Sequence, residues 1–215
     1  MGTDMPGTIQ DRLHAFRERS LEYVRLGHDR LAAARFVAEA AGPLRGPALD
    51  IGTGKGLLAI ALARRGLEVF TLDVDAQEQE LAGLLAEEAG VAGRITFAHH
   101  DAACLPYADG QFGCVAMMDV LHHLAEPLPV LREMVRVLHA RGTILIADFD
   151  EPGFEIVSRI HRAEGHEHQR AAATVSLATE ELIAMGLRAV SRSSGHQHEV
   201  VVLSKGEQKP VGRSG

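Results

Sequence analysis

Leu49-Asp50-Ile51-Gly52-Thr53-Gly54-Lys55-Gly56 decides the reading of this chain. A short apolar run, 48–51, enters a turn with glycine at every second position, and an apolar helical pattern over 56–65 leaves it. In such a turn backbone N–H groups approach a ligand more closely than side chains would allow, at the positive end of a helix dipole. A phosphate-binding P-loop is excluded: Gly56 follows Lys55 where Ser or Thr is needed, and Leu49 stands where that motif needs its first glycine. A nucleotide or similar ligand remains the default.

Outward from this turn, LEVFTL (67–72), RITFA (94–98), FGCVAMM (112–118) and GTILIADF (142–149) are short apolar runs rich in β-branched residues, as in strands buried on both faces. Between them, 75–90 (Leu81, Leu84, Leu85) and 127–139 (Leu128, Leu131, Val135, Leu138) repeat at helical spacing. Alternating strand and helix implies right-handed crossovers and a parallel sheet with helices on both faces. Residues 9–41 read as amphipathic helices broken near Gly27, and 153–168 as a helix rich in His and Glu. Thr179 is expected to cap a helix ending near Gly186, and 187–194 and 198–204 to form a hairpin at the sheet edge. Residues 1–8 and 206–215 are expected to be poorly ordered, leaving 9–205 as one domain with a helical lid over about 9–42.

Composition narrows the function. The net charge of −7 and pI near 5.9 argue against a nucleic-acid partner. No apolar run reaches the roughly 18–20 residues of a membrane span, and residues 1–20 lack the apolar centre of a secretory signal. The cytoplasm is the expected location, and Cys104 and Cys114 are expected to be buried free thiols.

The acids separate two ligands, a nicotinamide or flavin dinucleotide and S-adenosyl-L-methionine. Asp73, ending the second strand, suits the ribose of either. Asp50, before the first glycine, would repel a pyrophosphate but attract a cationic amino-acid group, directly or through water, which favours the sulfonium amino acid. Asp101 is placed to accept from an exocyclic adenine amine, with Ala102 offering its N–H to a ring nitrogen.

LDIGTGKG, the acid of LDVD, HDAACLPYADGQFGCVAMMDVLHHL and LREMVRVLHARGTILIADF, in this order, resemble the class I S-adenosyl-L-methionine-dependent methyltransferases, in particular the type-11 group that includes the ubiquinone/menaquinone-biosynthesis C-methyltransferases. The likeness covers about residues 45–150 and continues more weakly to 204. It implies a Rossmann-like three-layer α/β/α sandwich on a seven-stranded, mostly parallel sheet with an antiparallel last strand. It also implies that Asp50, Gly52, Gly54 and Gly56 surround the methionine and ribose, that Asp73 binds the ribose and Val74 packs on the adenine, and that Asp101 and Ala102 read the adenine edge. Met118 and Asp119 would lie below the sulfonium and its amino group. S-adenosyl-L-methionine would be the cofactor, S-adenosyl-L-homocysteine the product, and a small molecule the acceptor; a homodimer is left open.

Three departures stand out. Lys55 replaces a small or uncharged residue and is expected to point to solvent, Gly113 replaces an acid, and Arg141-Gly142 replaces Pro-Gly or Gly-Gly in the expected turn before the fifth strand. The chain also holds twelve histidines in clusters. His122 and His123 resemble the family's paired histidines, with three roles open: catalysis, substrate contact or structural hydrogen bonding. His161, His166 and His168, with His196 and His198 on one strand face and Glu164 or Glu167, are weighed as a divalent-metal site against metal-free substrate binding or plain solvation. Tyr23 or Phe16 could fold over the site. The competing functions are a catalytically silent binding protein of the same fold and a nicotinamide-dependent oxidoreductase.

Overall fold

The computed structural model describes residues 7–165, 167 and 170–205. Thr8 opens it by capping α1 (Ile9–Arg25), exchanging bonds with Asp11, and Asp29 caps α2 (Arg30–Ala40) beyond the break at Gly27. The remaining elements are β1 (Ala48–Ile51), α3 (Leu57–Arg64), β2 (Val69–Asp73), α4 (Ala76–Glu88), β3 (Ile95–His99), β4 (Phe112–Met118), α5 (Pro127–Val137), β5 (Leu138–Phe149), α6 (Glu151–Ala163), α7 (Val175–Ala184), β6 (Leu187–Gly195) and β7 (His198–Lys205). The seven strands lie in the order β3-β2-β1-β4-β5-β7-β6. β1 to β5 pair in parallel, while β7 runs antiparallel to both β5 and β6.

The sheet's period of two sorts side chains by size. Leu49, Ile51, Val115, Met117, Ile144 and Ile146 pack with Leu131, Met134 and Leu182 of α5 and α7. Ala48, Cys114, Ala116, Leu145 and Ala147 face the other way, onto α2 and α3. Small residues on that face let α2 and α3 approach closely, and Ala33, Ala34, Val37 and Ala38 are buried there. α2 is thus part of a core layer, and of the expected 9–42 lid it is α1 that packs on α4 and α6.

Several expectations are corrected. Thr174 caps α7, whereas Thr179 lies inside that helix and donates to the Val175 carbonyl at 2.7 Å. The last helix of the 153–168 stretch begins at Glu151, where Asp150 caps it, and ends at Ala163, with Glu164 as its C-cap. Residues 166, 168 and 206–215 lie outside the described residues, as do 1–6. β5 begins at Leu138 and runs through Arg141-Gly142, so the expected turn is a bulge opposite Phe112–Cys114. Cys104 is exposed, and only Cys114 is the buried thiol, which burial pushes up to about 12. Among the described residues no helix is long and apolar enough to cross a membrane.

Gly113 has a local cause: a Cβ there would meet the Arg45 carbonyl oxygen at 2.4 Å. Gly113→Asp is expected to lower unfolding stability by about 2–4 kcal/mol, because backbone rather than a flexible side chain must give way. Denaturant unfolding measures it.

Candidate functional site

Both amides that follow β1, Gly52 N and Thr53 N, donate to the Leu72 carbonyl at 2.9 Å, which folds the turn back over the end of β2. Gly54 N donates to one oxygen of Asp73 at 2.8 Å, and Asp75 N to the other at 3.0 Å. At Gly52, with φ +81°, a Cβ would fall 2.3 Å from Val120 Cγ2, so only glycine allows this approach of β1's turn to the end of β4. Above the turn lies a cavity of about 600 Å³, a size suited to a nucleoside-bearing ligand.

Gly52, Gly54, Asp73 and Val74 line one side of this cavity, and Asp101 and Ala102 continue it after β3. Val74 is largely exposed at the rim, and Asp101 accepts from Ala103 N at 2.8 Å. Met118 and Asp119 line the side formed by β4, followed by His122 and His123.

Gly56 and Asp50 differ from expectation. Gly56 is the left-handed start of α3, where a Cβ would fall 2.9 Å from Ala82 Cβ, and it does not line the cavity. Asp50 does not line it either: its carboxyl is buried beneath the turn, accepts from Thr71 Oγ1 at 2.9 Å, and through that hydroxyl is linked to Thr53 Oγ1 at 2.8 Å. Burial raises its pKa to about 7 against the Thr71 hydrogen bond, with Asp73 adding repulsion. Lys55, expected in solvent, is half-buried, lines the cavity and pairs with Glu78.

The paired histidines divide. His122 is buried; its ring Nδ1 lies 2.6 Å from Asp148 Oδ1, and its backbone N–H donates to Asp148 Oδ2 at 3.0 Å. Asp148 also accepts from Phe149 N at 2.8 Å, so one carboxylate ties the 3₁₀ turn after β4 to the end of β5. His123 is exposed at the cavity wall, and partial desolvation of its ring, then the neighbouring His122, lowers its pKa.

Two groups at the cavity, His28 and Arg30, carry no signal in the sequence. His28, between α1 and α2, is buried with Nδ1 3.0 Å from Gln197 Oε1, and burial lowers its pKa. Arg30 lies with its guanidinium carbon 5.2 and 5.1 Å from the ring centroids of Phe16 and Tyr23, and among the described residues it has no ion pair or hydrogen bond from that guanidinium. Tyr23 itself is buried and lines the cavity; Phe16 lines only the adjoining cleft. His198, weighed above as a metal ligand, does not line the cavity and is fully buried against Asp119, Nε2 2.9 Å from Oδ1. His196 sits in the preceding turn at φ 51°, packed on Phe36, so the two do not share a strand face. Among the described residues no group of three or more His, Cys, Asp or Glu is placed to hold a metal; the expected partners His166 and His168 lie outside them.

Residues 49–146 match the model of a family described as a methyltransferase domain. This stretch belongs to the type-11 group of class I methyltransferase domains. A demethylmenaquinone methyltransferase from Clavibacter sepedonicus is 31% identical over 165 residues, covering 72% of this chain and 63% of that protein. A ubiquinone/menaquinone biosynthesis C-methyltransferase from Cellvibrio japonicus is 32% identical over 131 residues, covering 59% and 53%. The matches therefore span between about half and just under two thirds of these relatives. The solved structure of an S-adenosyl-L-methionine-dependent methyltransferase from Aquifex aeolicus superposes with TM-score 0.64 at 18% identity, over 90% of this chain and 98% of that one. It establishes the Rossmann-like fold of the type-11 domain, with the glycine turn at the usual carboxyl edge of the sheet.

The raised Asp50 pKa makes a stability prediction. Its carboxyl holds a proton more tightly folded than unfolded, so its contribution is complete below the unfolded value of 3.8 and is lost as pH rises through about 7. Asp50→Asn, which keeps an acceptor for Thr71, is expected to gain on the wild type between pH 4 and pH 8 by about 2–4 kcal/mol, read from denaturant unfolding at both pH values.

Proposed function

We propose that the chain is an S-adenosyl-L-methionine-dependent methyltransferase that passes a methyl group to a small-molecule acceptor by in-line displacement. One observation supports this most: the glycine turn and Asp73 share their cavity with an acid, Asp119, and a guanidinium, Arg30, that has no acid partner among the described residues. An acid and a base on one cavity suit an amino acid's ammonium and carboxylate. A dinucleotide's pyrophosphate would meet two carboxylates instead.

In this reading Asp73 releases Gly54 N to take the ribose hydroxyls, Val74 packs on the adenine, Asp101 accepts from its amine, and Ala102 offers its N–H to a ring nitrogen. Met118 and Asp119 hold the sulfonium end and Arg30 the carboxylate. The cofactor supplies an electrophilic methyl with a good leaving group already attached, so the protein's work is alignment and exclusion of water. Tyr23 of α1 and Val157 of α6 close the cavity from above, and Leu124, Val130 and Phe149 give the acceptor apolar walls. His123 faces that space with a lowered pKa, so at neutral pH its imidazole accepts a proton or a hydrogen bond from the acceptor. His122, tied to Asp148, fixes the turn that presents it.

Incubation with methyl-labelled cofactor and a fractionated extract of small metabolites tests this. Label should pass to an acceptor, and His123→Ala should lower kcat/KM about 10²-fold or more while S-adenosyl-L-homocysteine affinity changes less than about threefold. The acid limb of the wild-type pH profile should fall below the ordinary histidine value of about 6.5. Binding of S-adenosyl-L-homocysteine without transfer to any fraction would instead favour the silent binding protein.

A further inference from the structure

The cofactor-facing side of β4 ends in an unusual arrangement. Asp119 has φ 59°, a left-handed conformation that a side chain adopts only at some cost, although Asp tolerates it better than most. Its backbone N–H donates to the Ala147 carbonyl at 3.1 Å, which fixes the main chain. Its carboxylate is then the remaining freedom: Oδ1 lies 2.9 Å from Nε2 of His198, while the side chain stays about one-third exposed toward the cavity.

His198 is held on every side. Its Nδ1 lies 2.8 Å from the His196 carbonyl oxygen, which can only accept, so Nδ1 carries a hydrogen. Its Nε2 faces a carboxylate oxygen, which also accepts, so that nitrogen carries a hydrogen too. Two donating nitrogens make the ring an imidazolium, with no accessible surface of its own. The groups packed on it are Asp119 at the end of β4, Phe149 of β5 with ring centroids 4.8 Å apart, His28 of the α1–α2 turn at 5.6 Å, and the His196 turn. Asp148 adds a more distant negative charge. Burial opposes the charged ring, yet the Asp119 charge and hydrogen bond and the His196 carbonyl outweigh it and raise its pKa. His28, paired with the neutral Gln197, is instead lowered, chiefly by burial and also by the His198 charge, against that hydrogen bond and the Asp119 charge.

We infer that His198 is a positioning residue: as a buried imidazolium it anchors one oxygen of Asp119 and so aims the other at the ammonium of the cofactor's amino-acid end. This rests on the proposed cofactor. The sequence places the two residues on strands far apart in the chain, and β7's insertion between β5 and β6 brings them together. Half of a carboxylate left free, on a backbone that cannot turn, is a preorganised acceptor for a cation.

The test separates aiming from mere support by comparing two ligands. S-adenosyl-L-homocysteine carries the ammonium; 5′-methylthioadenosine has the same nucleoside and thioether without it. By calorimetry, His198→Ala should weaken S-adenosyl-L-homocysteine at least tenfold and 5′-methylthioadenosine less than twofold, and His198→Gln, which keeps one donor for Asp119, should recover most of the difference. Equal loss for both ligands, no loss, or tighter binding of S-adenosyl-L-homocysteine by the variant would overturn the inference. Should the alanine variant not fold, ¹⁵N NMR of the wild-type ring at pH 7 still decides: two protonated nitrogens support the imidazolium, and one bare nitrogen refutes it. Failure of the wild type to bind either ligand would reject the proposed cofactor, a result distinct from both.

Discussion

Both amides of Gly52 and Thr53 end on a single acceptor, the carbonyl of Leu72, and most of the site depends on that pairing. It turns the chain back on itself at the edge of the sheet and brings Gly54 N onto Asp73. It also presses Gly52 against Val120, so the turn after β1 and the turn after β4 share one wall. A methyl group at position 52 would separate these two halves of the cavity. The large-on-one-face, small-on-the-other sorting of the strands serves the same end, because the alanine-rich face seats α2 and α3 closely enough to place Arg30 and His28 at the mouth.

The second organising feature is polar. Two acid–histidine pairs, His122 with Asp148 and His198 with Asp119, stand on either side of Phe149, whose ring lies 5.7 Å from the first imidazole and 4.8 Å from the second. Truncating one partner of a buried pair leaves the other unsatisfied, which costs more than the net worth of the contact. Such pairs specify one arrangement of β4, β5 and β7 ends. One pair fixes the turn that carries His123 and the other fixes Asp119 at the end of β4, so two walls of the cavity are set by separate locks.

The central fold was legible because its signals are local: a glycine turn after an apolar run, β-branched strands, and helical spacing between them. That Asp73, Met118, Asp119 and, two residues past β3, Asp101 line one cavity was legible for the same reason, since the ends of parallel strands and the residues just beyond them share one edge of the sheet. What escaped depends on packing between distant segments. Arg30 and His28 look like ordinary residues of an amphipathic lead-in until α1 crosses to α6. Asp50 was read from its place beside the glycines, whereas strand alternation turns it toward α3 and Thr71. Acids at 180 and 181 drew the cap to Thr179, although Thr174 precedes the apolar Val175 and is the residue whose hydroxyl reaches a free amide. His196 and His198 differ because a tight turn, not strand, begins at 196.

The claim on which all of this rests is that one cavity holds a nucleoside with an amino-acid end. Thermal unfolding of the purified chain alone, with S-adenosyl-L-homocysteine and with NAD, tests it most directly, since a ligand at about 100 times its Kd adds roughly 2.7 kcal/mol to the folded state. The account predicts that S-adenosyl-L-homocysteine raises the midpoint by about 5 °C while NAD leaves it unchanged. A rise with NAD alone would contradict it.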